Sequence, residues 1–305
     1  MITRTGEWLY LRLLRYTTSV KVSNNGRKSI SMLETLKFKR EVSLGPRGSQ
    51  ITIPIDNVIY NRVATFGDWE EGEADFLAKQ ITRIQDSWYE NPTLLDLGAN
   101  VGLVTIQIAR RVRIPIKVIL VEALPLHVQA LKLNMESNCP NGDVQICEFA
   151  LGTSEGTIDF FTEIGNQGNS SSKLDAMQSQ KFKVSTVRMI SARRFFQDFL
   201  DTSTKIVLKS DLQGSDAEIL ANIPTAAWSQ LNAGVVEVWA IDSVSISSAR
   251  LVSNRFGDHF RLSWDPNFNT EITSTELFQF WSCKSGEHRN LFFEEVSRAK
   301  GVARL

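Results

Sequence analysis

Residues 94–102, L-L-D-L-G-A-N-V-G, end an apolar run in an acid and follow it with a glycine-bearing turn. Gly98 and Gly102 remove Cβ atoms where the chain turns and where a helix opens. The helix start also offers free N–H groups, so backbone can approach a ligand closely. A dinucleotide enzyme wants G-x-G-x-x-G here, but positions 100 and 103 are Asn100 and Leu103. Asp96 repels a pyrophosphate and welcomes an ammonium group, such as the amino-acid end of S-adenosylmethionine. A glycine turn in some other α/β protein is the plain alternative. Glu122 closes a second apolar run, V-I-L-V-E, at the separation from which an α/β unit returns an acid to the neighbouring strand end. A carboxylate there binds both ribose hydroxyls, or simply caps a helix. A third run ends in Glu148, Phe149 and Ala150, where an adenine would meet an apolar wall, with Glu148 as the candidate for its amino group.

The elements that must position these residues follow from the hydrophobic rhythm. Runs at 93–97, 117–121, 144–149, 205–208 and 234–239 are too apolar for strands exposed on one face and predict buried parallel strands. Helical spacing fills 102–111, 125–137, 191–200 and 215–221, with Pro125 suited to a first turn and Ser191 and Ser215 to N-caps. The sum is a doubly wound, mostly parallel α/β sheet whose ligands lie at the carboxyl ends of its strands. Before it, 45–59 predicts a hairpin or edge strands, and 68–80 a helix with carboxylates in its first turn. Residues 165–172, G-N-Q-G-N-S-S-S, predict a loop that could cover the site. After Ser253, aromatic residues including Phe256, Phe260, Phe278, Trp281 and Phe292 predict closing antiparallel strands.

These segments resemble the FkbM family of S-adenosylmethionine-dependent methyltransferases. The matching residues are D-L-G-A-N-V-G at 96–102, E-A-L-P at 122–125, A-L-G-T-S-E-G at 150–156 and K-S-D-L-Q-G-S-D-A-E-I-L at 209–220. The last is the most distinctive, carrying Lys209, Asp211, Gln213, Gly214, Asp216 and Glu218 in the family's spacing. G-D-W-E at 67–70 and Glu237 are similar to further family elements, so the resemblance runs from Phe66 to Trp239. One departure is visible. The family's Leu-Asp pair before the helix near Ser191 is replaced by M-I-S-A-R-R.

The resemblance implies a Rossmann-like class I methyltransferase sheet with an antiparallel C-terminal strand and an N-terminal extension. Composition and pattern together divide the chain into a basic arm (1–44), a hairpin and helix (45–90) and a methyltransferase domain (91–305). The resemblance implies methyl transfer from S-adenosylmethionine to a hydroxyl on a small molecule or sugar-like acceptor, and the strand-end residues Asp96, Gly98, Ala99, Asn100, Gly102, Glu122, Glu148 and Ala150 are the candidates to bind that cofactor. Asp211, just past the fourth strand, is the candidate general base or hydroxyl-orienting group, with Lys209 to position it or polarise the acceptor. An ion pair fixing the loop is the alternative role for both. Asp211 with Glu237 could instead hold a divalent metal, but no third oxygen ligand is evident. His127, His259 and His288 are isolated in sequence and suit structural roles, with an acceptor pocket as the alternative for His259 or His288 in the aromatic region.

Composition narrows the rest. Thirty-four basic residues cancel 34 acidic ones, which gives the molecule no long-range field for nucleic acid. The residues after the fourth strand also differ from the Asn/Asp-Pro-Pro-aromatic pattern of enzymes that methylate base amino groups. A fold retained for binding without turnover is the other alternative. Cys139, Cys147 and Cys283 form no C-x-x-C pair and suggest a reducing compartment. Apolar runs of six or seven residues fall short of the roughly 20 that cross a bilayer, so the expected location is cytoplasmic. Residues 1–40 carry nine Lys or Arg against two Glu. This arm suits an acidic surface, its own domain or a second copy in a homo-oligomer.

Overall fold

A computed structural model of the protein describes residues 39–44, 49–54, 58–88, 91–113, 115–164, 166–177, 181–201 and 203–296. An antiparallel hairpin comes first, β1 (Lys39–Leu44) and β2 (Ser49–Pro54), followed by helices α1 (Ile59–Phe66) and α2 (Glu71–Trp88). The hairpin therefore starts inside the segment assigned to the basic arm. The rest of that arm, with its partner roles, lies outside the described residues. Glu71 and Glu73 occupy the first turn of α2, where the helix dipole favours them.

The core then alternates: β3 (Thr93–Leu97), α3 (Leu103–Arg111), β4 (Lys117–Val121), α4 (Pro125–Asn138) and β5 (Asp143–Cys147). An excursion follows as a separate four-stranded sheet of β6 (Ala150–Gly152), β7 (Gly156–Glu163), β8 (Asn166–Ser171) and β9 (Phe182–Ser191), in the order β6-β9-β7-β8. The chain returns through α5 (Ala192–Asp198), β10 (Ile206–Ser210), α6 (Asp216–Ala221), α7 (Thr225–Trp228), β11 (Leu231–Trp239) and α8 (Ile246–His259). It closes with β12 (Phe260–Ser263), β13 (Glu271–Ile272), α9 (Ser274–Ser282) and β14 (His288–Glu295).

The main sheet has the order β13-β12-β14-β11-β10-β3-β4-β5. Strands β5, β4, β3, β10 and β11 are mutually parallel, and β14 runs antiparallel between β11 and β12. This is the predicted doubly wound arrangement. Both faces are covered, and the pleat shows it: Leu95, Leu97, Ile119 and Leu208 pack on the side of α5, α6 and α8, while Leu94, Val118, Leu120 and Val207 pack on the side of α2, α3 and α4. The hairpin is fastened to α4 by Asn134, whose side chain accepts from Thr52 N at 2.7 Å and donates to Thr52 O and Val101 O. Ser191 caps α5 by accepting from Arg194 N, whereas Ser215 precedes α6 without a side-chain cap.

Two expectations are corrected. Residues 166–171 form β8 rather than a loop, paired with β7. Among the C-terminal aromatics, Phe256 lies in α8 and Phe278, Phe280 and Trp281 in α9. Only Phe260, Phe292 and Phe293 are on strands. No helix among the described residues is long and apolar enough to cross a membrane.

Candidate active site

Two adjoining cavities lie past the carboxyl ends of β3, β4 and β10, one of about 280 Å³ and one of about 70 Å³. They share Gly98, Asn100, Gly168, Asp211 and Gln213 as lining residues. Gly98 sits at φ +79°, and a Cβ built there would drive into the carbonyl oxygen of Asp211. The ends of β3 and β10 approach this closely because Asp211 N donates to Leu97 O at 2.9 Å. At Gly102, φ +83°, a Cβ would strike Met135 and Leu131 of α4, so this glycine serves helix packing rather than lining either cavity.

The larger cavity is floored by charge. Asp96 is 2% exposed; its Oδ2 accepts from Thr105 Oγ1 at 2.7 Å, while its Oδ1 is buried with no hydrogen-bond partner. Lys209 is paired with it in register across the parallel β3–β10 ladder. The buried Lys209 ammonium lies 3.5 Å from Asp211 Oδ2, 3.9 Å from Asp96 Oδ1 and 4.0 Å from Glu70 Oε2. Burial works against this cation, but Asp211, Asp96, Glu70 and Glu73 outweigh it and hold its pKa well above the ordinary lysine value. Burial raises the pKa of Asp96, with Lys209 opposing. It also pushes Glu73 up to about 9, helped by the charge of Glu70.

Across the cavity, Gln213 Nε2 donates to Asp211 Oδ1 at 2.7 Å and to Glu237 Oε2 at 2.9 Å. Gln213 has φ +48° and precedes Gly214 at φ +94°, a turn that folds the amide back between the two carboxylates. Trp239 Nε1 also donates to Glu237 Oε2, at 2.6 Å, and stacks on His288 with ring centroids 4.4 Å apart. Burial raises the pKa of Asp211, but Lys209 and the hydrogen bonds to Asp211 more than offset that and leave it below the ordinary value. Glu237 is pushed well above its ordinary value by burial and by the charge of Asp211. Of the two carboxyls, Glu237 is therefore the readier to carry a proton and Asp211 the readier to stay ionised. Asp216 braces the turn, accepting from Ser210 Oγ at 2.5 Å and from Leu212 N. Glu218 pairs with Lys173 at 2.8 Å.

The smaller cavity is lined by Glu122 at the end of β4 and by the apolar Phe149, Ala150, Leu151 and Phe160. Each Glu122 oxygen accepts one backbone N–H, from Asn100 at 2.9 Å and from Leu124 at 2.8 Å. The carboxylate is thus oriented with lone pairs to spare. His127, also lining, places Nδ1 3.7 Å from it. Ala99 and Asn100 line the larger cavity and Ala150 the smaller. Glu148 stands apart: its carboxylate is half exposed, paired with Lys132 at 2.5 Å, and lines neither cavity. No group of three His, Cys, Asp or Glu among the described residues is arranged to hold a metal ion.

Strand β8 roofs the site. Ser171 Oγ donates to Gln213 O at 2.6 Å, Ser172 and Ser215 hydroxyls lie 3.2 Å apart, and Gly168 packs against Ile59 of α1. Sequence reasoning missed Asn169 of this strand, which lines the larger cavity, and the approach of Glu73 to Lys209. The G-D-W-E segment was the only signal for Glu70.

Residues 96–246 match a family described as the methyltransferase FkbM domain. Methyltransferase sdnD of Sordaria araneosa is 24% identical over 235 residues, covering 66% of this chain and 90% of that protein. Among solved structures, the bifunctional kinase-methyltransferase WbdD aligns at a TM-score of 0.40 and 8% identity over 73% of this chain, which spans only 38% of that protein. TYW2 of M. jannaschii, in complex with AdoMet, aligns at 0.37 and 12% identity over 85% of this chain and 88% of that one. At such scores the fold assignment rests on the strand order itself.

Proposed function

Because the chain carries a methyltransferase domain of the FkbM family, and with it the use of S-adenosylmethionine, we propose that the joined cavities bind this donor and that the methyl group passes to a hydroxyl of a small-molecule or sugar-like acceptor. The residues suit the donor. Asp96 Oδ1 is a buried acceptor without a donor, which the cofactor's ammonium would supply. Glu122 is oriented to receive ribose hydroxyls beside an apolar wall fit for adenine. When bound, S-adenosylmethionine supplies an electrophilic methyl group on a sulfonium.

The observation that carries the hydroxyl reading is Asp211. It lines both cavities, so it stands where they join. It is kept ionised by Lys209 beside it. A hydroxyl oriented there gives its proton to Asp211 as its oxygen gains the methyl group. Gln213 fixes the carboxylate and ties it to Glu237 behind it. The test is incubation of extracts with methyl-labelled donor, followed by mass spectrometry of the products. Label should appear on oxygen. Asp211→Asn should keep S-adenosylhomocysteine binding and slow transfer by about 10²–10⁴-fold. Label on nitrogen or carbon, or an undiminished rate, refutes the proposal.

A further inference from the structure

We infer that Asn169, on the roofing strand, is a second acceptor for the ammonium of the cofactor's amino-acid end, acting together with Asp96. Asn169 is 6% exposed and lines the larger cavity. Its Nδ2 donates to Glu163 Oε2 at 2.9 Å. A carboxylate only accepts from an amide, so this bond settles which end of the amide is which. The other end, Oδ1, is a buried oxygen with no hydrogen-bond partner.

Asp96 Oδ1, in the same cavity, likewise accepts no hydrogen bond, although the Lys209 ammonium stands 3.9 Å from it. These two are the unpartnered buried side-chain oxygens among the described residues that line it. Leaving such an oxygen unserved costs about 1–3 kcal/mol, so both call for a donor brought by a ligand. A hydroxyl has one proton to give and serves one of them. An ammonium has three N–H groups, enough for both. The two oxygens come from separate layers, Asp96 from the floor strand β3 and Asn169 from β8 above it.

The inference rests on the cofactor reading of the cleft, and two ligands separate its failure from failure of that reading. S-adenosylhomocysteine carries the amino-acid end, whereas 5′-methylthioadenosine lacks it. Isothermal calorimetry on the full chain should give an S-adenosylhomocysteine Kd raised tenfold or more by Asn169→Ala, with 5′-methylthioadenosine binding unchanged within twofold. Retained 5′-methylthioadenosine binding shows that the variant is folded. Asn169→Leu, which keeps the volume without an acceptor, should behave the same if the alanine variant proves unstable. Equal weakening of both ligands, or no weakening of S-adenosylhomocysteine, overturns the inference while leaving the cofactor site intact. Absence of binding by the unmodified protein sinks the cofactor reading instead.

Discussion

Replacing Lys209 by Met keeps the side chain's length and removes a cation from the middle of a buried cluster of carboxylates. Three of them lie at 3.5, 3.9 and 4.0 Å from the ammonium. At an effective dielectric constant of about 20, each pair contributes roughly 4–5 kcal/mol of gross attraction, most of which offsets the burial of Lys209. The net loss on removing one partner of such a buried set is about 3–5 kcal/mol. For a domain of this size that corresponds to a melting point lower by about 6–20 °C. The penalty has a pH signature. Lys209 stays charged from pH 5 to 8, but in the variant Asp96 and Asp211 lose the partner that lowers their pKa values and take up protons on acidification. The gap between Lys209→Met and the parent should therefore narrow from pH 8 to pH 5. Thermal unfolding followed by circular dichroism at both pH values measures it. A drop under about 3 °C, or the same drop at both, would refute the electrostatic account of this cluster.

Glu73 gives a second pH test. Its pKa is raised in the fold to about 9 from an ordinary 4.5, so its contribution is full below the ordinary value and is lost as pH rises towards 9. Glu73→Gln keeps an acceptor for Asn290 Nδ2 and should show a melting-point advantage that grows from pH 5 to 9; a constant difference would contradict the assignment. Gly98→Ala should cost about 1–3 kcal/mol for its positive φ alone, plus the overlap with the Asp211 carbonyl. Loss of donor binding should accompany it, and an unchanged melting point and affinity would rule out the close approach of β3 and β10.

The parallel core was legible because burial on both faces leaves no alternation. Residues 93–97 and 117–121 coincide with β3 and β4 to the residue. The glycine turn and the two strand-end acids were legible for the same reason, since strand and turn fix where Asp96 and Glu122 emerge. Strand β8 was not. Its sequence N-Q-G-N-S-S has no apolar residue, and it is a strand because β7 pairs with it and Ser171 ties it to Gln213. The aromatic C-terminal region misled through composition: Leu277 and Trp281, four apart, are the buried face of a helix, not of a strand. Glu148 lies outside both cavities because the strand ends one residue earlier, at Cys147, and its carboxylate reaches Lys132 at the surface. Glu70, Glu73 and Asn169 meet the site only through tertiary folding, from segments before β3 and after β6.

Calorimetric titration of S-adenosylmethionine into the parent protein and into Asp96→Ala addresses the central claim most directly. Micromolar binding by the parent, weakened about 30-fold or more when the buried carboxylate is removed, is the expected result. No heat with the parent, or equal affinity in both proteins, would mean that the cleft beyond β3 and β10 is not where the methyl donor binds.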